Sequence, residues 1–201
     1  MSEDVFSEGF WDERYGAEDR VWSGAPNPQL VDRVAALHPG RALDVGSGEG
    51  ADAIWLAQQG WQVTALDVSQ VALDKAAAHA ADLGVADAIV WQRADMTTWP
   101  GAPDAYDLVS AQFMYLDQPR LTRLYRQLGA AVAPGGTLLL VGHHPIDPRH
   151  GSHEFPDVRW TPEDAASWLD PDDWASIDLA TVQREGHLGT MHDGIVQATR
   201  R

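Results

Sequence analysis

The chain has 201 residues, 44% of them hydrophobic, a length and composition that suit one globular domain. Its 30 acidic and 14 basic residues leave a net charge of −16, which repels a phosphate backbone, so no nucleic-acid partner is expected. Without cysteine there are no disulfides or thiolate metal sites; no apolar run approaches the about 18 residues of a membrane span, and the acidic start MSEDVFSEGF is unlike a secretory signal.

Residues 1–40 read as helical. Phe6, Phe10, Trp11, Arg14 and Tyr15 recur on one helix face, and Asn27-Pro28 is a cap followed by proline at the first helical position. Leu30, Val31, Val34 and Leu37 form a second stripe, which Pro39-Gly40 ends. From residue 41 strands alternate with helices: strand 42–46, helix 51–59, strand 61–67, and a helix capped by Ser69 running to Leu83. Strands at 88–95 and 106–113 follow, then a helix capped by Asp117 that stops before Pro134-Gly135-Gly136, and a strand at 137–142. An irregular stretch rich in proline and histidine reaches Trp160, followed by a helix at 161–169 and strand-like pieces at 176–184 and 193–199. Such alternation points to an α/β fold, a mostly parallel sheet covered by helices on both faces. Arg120, Arg123 and Arg126 are the nearest thing to a basic patch, and their spacing reads as the solvated face of a helix.

The chemistry is concentrated in DVGSGEG. Gly46, Gly48 and Gly50 lie between a strand and a helix, where the backbone must turn tightly and let a ligand approach without a Cβ in the way. Asp67 ends the next strand, and a carboxylate there can accept hydrogen bonds from both ribose hydroxyls of an adenosine. Two nucleoside cofactors fit this frame. A dinucleotide brings a pyrophosphate, which Glu49, Asp52 and Asp44 would oppose. S-adenosylmethionine brings a sulfonium and an ammonium, for which nearby acids are tolerable or useful. The charges favour the methyl donor.

DVGSGEG, the strand-end Asp67, Asp95-Met96 after the third strand and the PGG before the fifth resemble successive motifs of class I methyltransferases, over about residues 10–142. The segment WDERYGAEDRVWSGAPNP, with Trp11, Tyr15 and Trp22, is similar to the start of the small-molecule group that includes tellurite-resistance-type and thiopurine-type enzymes. The resemblance implies a doubly wound, Rossmann-like sheet of seven strands, mostly parallel with the last antiparallel. It implies that Asp44 and Gly46 hold the methionine end of S-adenosylmethionine, with Ser47, Gly48 and Gly50 forming the turn. Asp67 then takes the ribose, Val68 lies against the adenine, and Asp95 and the N–H of Met96 meet the adenine edge. Gln112 and Phe113 border the methyl-transfer point, and S-adenosylhomocysteine is the product. Tyr15 and Trp22 are cofactor-side aromatics by the same likeness, with packing as the alternative. Asp44, Asp67 and Asp95 each have a plainer reading as turn or helix caps.

Methyl transfer is an in-line displacement, and a base is needed only when the acceptor must lose a proton. The strand ends where an acceptor belongs carry Tyr115 and Asp117, and His143-His144. These give Tyr115, His143 and His144 as catalytic candidates, with one histidine as general base or both merely holding the loop. His143, His144, His150 and His153 also raise a metal, but Pro145, Pro148 and Gly151 leave no regular ligand spacing, and none is expected. Trp22, Trp99 and Trp160 are read as an aromatic lid or as a stacking surface for a planar acceptor, and Trp55, Trp61 and Trp91 as core. The competing classes are a nicotinamide-dependent oxidoreductase, for which no Tyr-x-x-x-Lys set is present and Lys75 is the one lysine, and a non-catalytic module that senses S-adenosylmethionine. The expectation is a cytoplasmic single domain over 1–201, monomer or homodimer, acting on a small-molecule acceptor away from membranes. Within it 1–40 is a helical cap, 41–142 the cofactor-binding core, and 143–201 the acceptor-side loop, helix and terminal strands.

Overall fold

A computed structural model describes residues 7–146, 158–186 and 189–201. Seven strands form one mixed sheet: β1 (Arg41–Val45), β2 (Gln62–Asp67), β3 (Ile89–Arg93), β4 (Tyr106–Gln112), β5 (Val132–His143), β6 (Trp174–Gly186) and β7 (Gly189–Arg200), in the order β3-β2-β1-β4-β5-β7-β6. The last strand, β7, is antiparallel to both its neighbours, as expected. The chain divides into two compact units, Met1–Trp99 and Pro100–Arg201, a boundary that falls inside the 41–142 stretch read as the cofactor-binding core. No helix among the described residues is long and apolar enough to cross a membrane.

The first unit sets β1 parallel to β2, with Asp44 opposite Ala65, and β2 parallel to β3. Its helices are α1 (Glu8–Ala17), α2 (Pro28–Val34), α3 (Ala51–Gln58) and α4 (Gln70–Asp82). Helices α2 and α4 begin where the sequence supplies an oxygen for the free amides of a helix start: Asn27 accepts from Gln29 N–H at 2.8 Å, and Ser69 from Ala72 N–H at 3.1 Å. The buried stripe of α4 is Ala72, Leu73, Ala76 and Ala80, mostly small residues that let the helix lie close to its neighbours. Leu43, Val45, Ala65 and Leu66 are buried as well, the continuous apolar pattern of strands covered on both faces.

In the second unit β4 runs parallel to β5, and β6 and β7 form an antiparallel pair beyond it. Helix α5 (Gln118–Ala131) starts at Asp117, whose carboxylate accepts from Arg120 N–H at 3.0 Å; it buries Leu121, Leu124, Tyr125 and Leu128 and exposes Arg120, Arg123 and Arg126. A short helix, α6 (Pro162–Ser167), carries a capping box between Thr161 and Asp164.

Two expectations need correction here. Pro134-Gly135-Gly136 does not separate helix from strand: β5 begins at Val132, directly out of α5, and pairs with Tyr106 before the ladder shifts and resumes at Thr137 opposite Leu108. The proline and glycines lie within that irregularity, where Gly135 takes φ 78° and a Cβ on Gly136 would sit 2.9 Å from the Asp107 carbonyl oxygen. Trp160 is not a lid residue. It is 3% exposed, meets the Tyr125 ring edge-on at 6.0 Å, and covers Gly142, whose Cβ would approach it to 2.6 Å. Trp99 is buried too, leaving Trp22 as the exposed member of the three. Of the residues read as core, Trp61 is fully buried, whereas Trp55 and Trp91 are half-buried. Phe6, His150 and His153 lie outside the described residues; among those described, no group of three or more histidines and acids is placed to hold a metal.

Trp160→Ala should therefore lower unfolding stability by about 3–5 kcal/mol in denaturant titration, the range for a large buried aromatic. An effect under about 1 kcal/mol would return Trp160 to the surface.

Candidate active site

The turn after β1 is a left-handed staircase: Gly46, Gly48 and Gly50 have φ of 71°, 51° and 85°. Side chains rarely tolerate such values, which is why glycine occupies all three positions. Space makes a second demand on two of them. A Cβ on Gly48 would lie 2.8 Å from the Tyr15 hydroxyl, and one on Gly50 would lie 2.7 Å from Trp91 and 2.8 Å from Ala76. The amides of this turn point inward. Gly46 N–H and Ser47 N–H both donate to the Leu66 carbonyl (2.8 and 3.0 Å), Gly48 N–H donates to Asp67 Oδ2 (2.8 Å), and Gly50 N–H donates to the Ser47 carbonyl (2.9 Å). These four amides are spent within the fold and are not offered to a phosphate.

Asp67 is 6% exposed, and its second oxygen accepts from Ser69 N–H at 2.9 Å. Each oxygen keeps a further lone pair, so both can still take a hydroxyl. Burial raises its carboxyl above the usual range, against the pull of the Ser69 and Gly48 amides. Asp44 is 2% exposed, and its Oδ2, like the Ser47 hydroxyl, has no hydrogen-bond partner among the described residues. Burial, and then the nearby charges of Asp52 and Asp67, push Asp44 well above an ordinary carboxyl. Burial likewise raises Asp52, to about 6. Three desolvated acids around one turn, one with an empty oxygen, suit a cationic ligand and oppose a phosphate. An ammonium and a sulfonium fit this donor set.

The N-terminal segment is fastened to this turn by groups the sequence reading assigned differently or passed over. Glu49, read as charge near a ligand, is 5% exposed and accepts from Val21 N–H (3.0 Å) and Trp22 N–H (3.1 Å). Asp52 accepts from Asn27 N–H at 2.6 Å. Lys75 on α4 donates to the carbonyls of Tyr15 (2.6 Å), Glu18 (2.5 Å) and Asp19 (3.2 Å), gathering the open C-terminal end of α1 around one ammonium. Asp12 accepts from the Ser69 hydroxyl at 2.5 Å and from Val71 N–H at 3.3 Å. These ties hold Tyr15 and Trp22 over the turn, joined by a bond from Trp22 Nε1 to the Tyr15 hydroxyl at 2.9 Å. Burial first, then the Asp67 charge, raises the Tyr15 phenol above its ordinary value, so it stays neutral. In the same unit Val68 is half-buried and Met96 buried. Asp95 is exposed, with one oxygen committed to Thr97 N–H at 2.8 Å.

The second unit carries the other expected residues. Gln112 donates from Nε2 to the Ser110 hydroxyl at 2.7 Å, and its Oε1 is buried without a partner. Phe113 has φ 49°, and its ring lies 4.6 Å from the His143 ring. Tyr115 and His143 are half-buried. His144 is tied into its own loop: its N–H donates to the His192 carbonyl at 3.0 Å, and its Nδ1 accepts from Ile146 N–H at 3.1 Å. That bond places the neutral ring's proton on Nε2 while the loop is intact.

A family model described as "Methyltransferase domain" matches residues 42–136. The chain is 31% identical over 160 residues to "Probable thiol methyltransferase 2" of Arabidopsis thaliana, covering 77% of this chain and 69% of that protein. It is 28% identical over 134 residues to "Methyltransferase GfsG" of Streptomyces halstedii, covering 66% of this chain and 48% of that protein, and so spans about half of that relative's length. The solved structure of TehB from Haemophilus influenzae matches with a TM-score of 0.74 at 18% identity, over 96% of this chain and 67% of that one, a likeness of fold.

The raised acids give the ligand-free protein a definite pH dependence. Asp52 holds its proton up to about pH 6 when folded and releases it near 3.8 when unfolded, and Asp44 shifts in the same direction. The folded state binds more protons through that window, so these groups add stability at low pH that is lost as the pH rises toward about 6 and beyond. Asp44→Asn should therefore raise the melting temperature at pH 8 and lessen its decline as the pH rises. A melting curve that the substitution leaves unchanged, or lowers at pH 8, counts against the buried acid.

Proposed function

The chain belongs to the class I S-adenosylmethionine-dependent methyltransferases, and we propose that it transfers the methyl group to a sulfur, oxygen or nitrogen of a small-molecule acceptor, leaving S-adenosylhomocysteine. The observation that carries the cofactor assignment is the buried turn: inward-facing amides, and an acid, Asp44, with an unused oxygen. When bound, S-adenosylmethionine supplies a methyl carbon already activated by its sulfonium. The protein's task is then to bind, align and exclude water.

In this reading Asp44 and Gly46 receive the ammonium end of the cofactor, and Ser47, Gly48 and Gly50 keep the turn open beside it. Asp67 takes the ribose hydroxyls on lone pairs left by Gly48 and Ser69. Val68, Asp95 and Met96 border the adenine, and Tyr15 and Trp22 close over the turn as a water-excluding cover. Gln112 and Phe113 belong to the methyl-transfer side. His143 and His144 are both candidate bases, and the Nδ1 of His144 accepts from Ile146 N–H. Tyr115 is a second candidate for orienting the acceptor. The thiol methyltransferase named among the relatives makes sulfur the first acceptor atom to try. The same reading makes 1–201 one methyltransferase domain, working in the cytoplasm as monomer or homodimer on a small molecule, not on nucleic acid.

Calorimetry with S-adenosylmethionine, S-adenosylhomocysteine and NAD tests the assignment. The two adenosyl ligands should bind and NAD should not; binding of NAD alone would overturn it. Asp67→Asn should weaken S-adenosylhomocysteine about 10- to 100-fold, the cost of losing charge-assisted bonds to the ribose, with the folded fraction checked by circular dichroism.

A further inference from the structure

Phe113, the residue directly after β4, lies in the left-handed region, φ 49°, which a bulky residue adopts only where its surroundings impose it. Its surroundings are specific. Its ring lies 4.6 Å from the His143 ring, and the carbon of the Arg184 guanidinium lies 5.5 Å from the ring centroid. Arg184 Nε in turn donates to Asp193 Oδ2 at 2.7 Å. Asp193 is 1% exposed, and it stands opposite His143 on one side and Val182 on the other in the β5-β7-β6 ladders. Residues directly opposed in antiparallel ladders share a face, so His143, Asp193 and Val182 lie on the same side of the sheet, and Arg184, two places along β6, lies there too. Asp193, Arg184, Phe113 and His143 thus form one continuous cluster at the ends of their strands, where ligands of such sheets bind.

The pairing of Arg184 with Asp193 is incomplete. Arginine–carboxylate pairs frequently close as a fork, two N–H groups on two oxygens. Among the described residues a single Nε bond is made, and Asp193 Oδ1, though buried, has no partner. Asp193 holds the inner edge of the guanidinium, the Phe113 ring supports it, and the side chain remains 28% exposed. The free edge is the Nη fork, whose planar geometry matches a carboxylate and not a point charge.

Building on the methyl-transfer reading above, we propose that Arg184 selects acceptors that carry a carboxylate: its Nη edge binds that group, and the rest of the acceptor lies against Phe113. Asp193 is a positioning residue, acting through Arg184. In a chain of net charge −16, a fixed local cation is what an anionic acceptor needs to settle at this edge against the general repulsion.

The test is equilibrium binding of two unreactive thioethers, 2-(methylthio)benzoate and its uncharged counterpart thioanisole, to the whole protein, both ligand-free and loaded with S-adenosylhomocysteine. The carboxylate should bind about 10- to 100-fold more tightly, the value of a charge-assisted bidentate contact. Arg184→Lys, which keeps the charge and loses the fork, should retain only part of that preference. Arg184→Gln with Asp193→Asn removes both charges, leaves no buried acid unpaired and should abolish the preference, while S-adenosylhomocysteine binds as in the unaltered protein. Equal binding of the two thioethers, saturable binding of neither, or a preference that survives the double substitution overturns the proposal. If S-adenosylhomocysteine binds normally in any of those cases, only the role of Arg184 falls; if it fails to bind at all, the cofactor assignment is what fails, and the thioether titration of the ligand-free protein still decides on Arg184.

Discussion

One carboxylate organises the first unit. Asp67 accepts from Gly48 N–H with one oxygen and from Ser69 N–H with the other, tying the turn after β1 to the entry of α4. The bond to Gly48 is possible only because three glycines bend the backbone the left-handed way, and that bend leaves just enough room for the Tyr15 hydroxyl above it. Ser69 caps α4 and also donates to Asp12 on α1, so the same node draws the N-terminal helix into place. Turn, helix start and N-terminal cover are therefore mechanically one assembly. A desolvated acid is a costly way to build such a joint, since burial raises its carboxyl against the amides that stabilise its charge. That cost is consistent with a group kept for a ligand as well as for the fold.

The acids near the turn divide by what their oxygens do. Glu49 and Asp52 spend theirs on backbone amides of the 21–27 segment, which makes them structural. Among the described residues Asp44 leaves one buried oxygen unmatched, and such an oxygen calls for a reason that a bound ligand would supply. The distinction follows from hydrogen-bond accounting, and neither charge nor proximity alone would have made it.

Much of this arrangement was legible in the sequence, and the legible part had local causes. Ser69, Asn27 and Asp117 announced their helices because a capping side chain acts within three residues of itself. The glycine turn and Asp67 were readable because strand, turn and helix are contiguous. What stayed hidden depended on partners far along the chain. Lys75 meets carbonyls 56 to 60 positions away, and Asp193 matters through its cross-strand neighbours and through Arg184, which only the β6-β7 register brings to it. Pro134-Gly135-Gly136 misled for a related reason: local rules read it as a boundary, while pairing of Val132 with Tyr106 carries the strand through it. Trp160 misled because its loop position suggested exposure, whereas Gly142 and Gly194 hollow out a seat for its ring.

The fastening of α1 has a practical corollary. The only ε-amine in the chain is sunk among three carbonyl oxygens and the Glu49 carboxylate. Acylating that nitrogen would erase its charge and its donor capacity together, releasing the end of a helix whose Tyr15 sits over the glycine turn. Reagents aimed at lysine would thus act here as unlatching agents rather than as harmless labels, and this protein is better tethered or tagged through other chemistry.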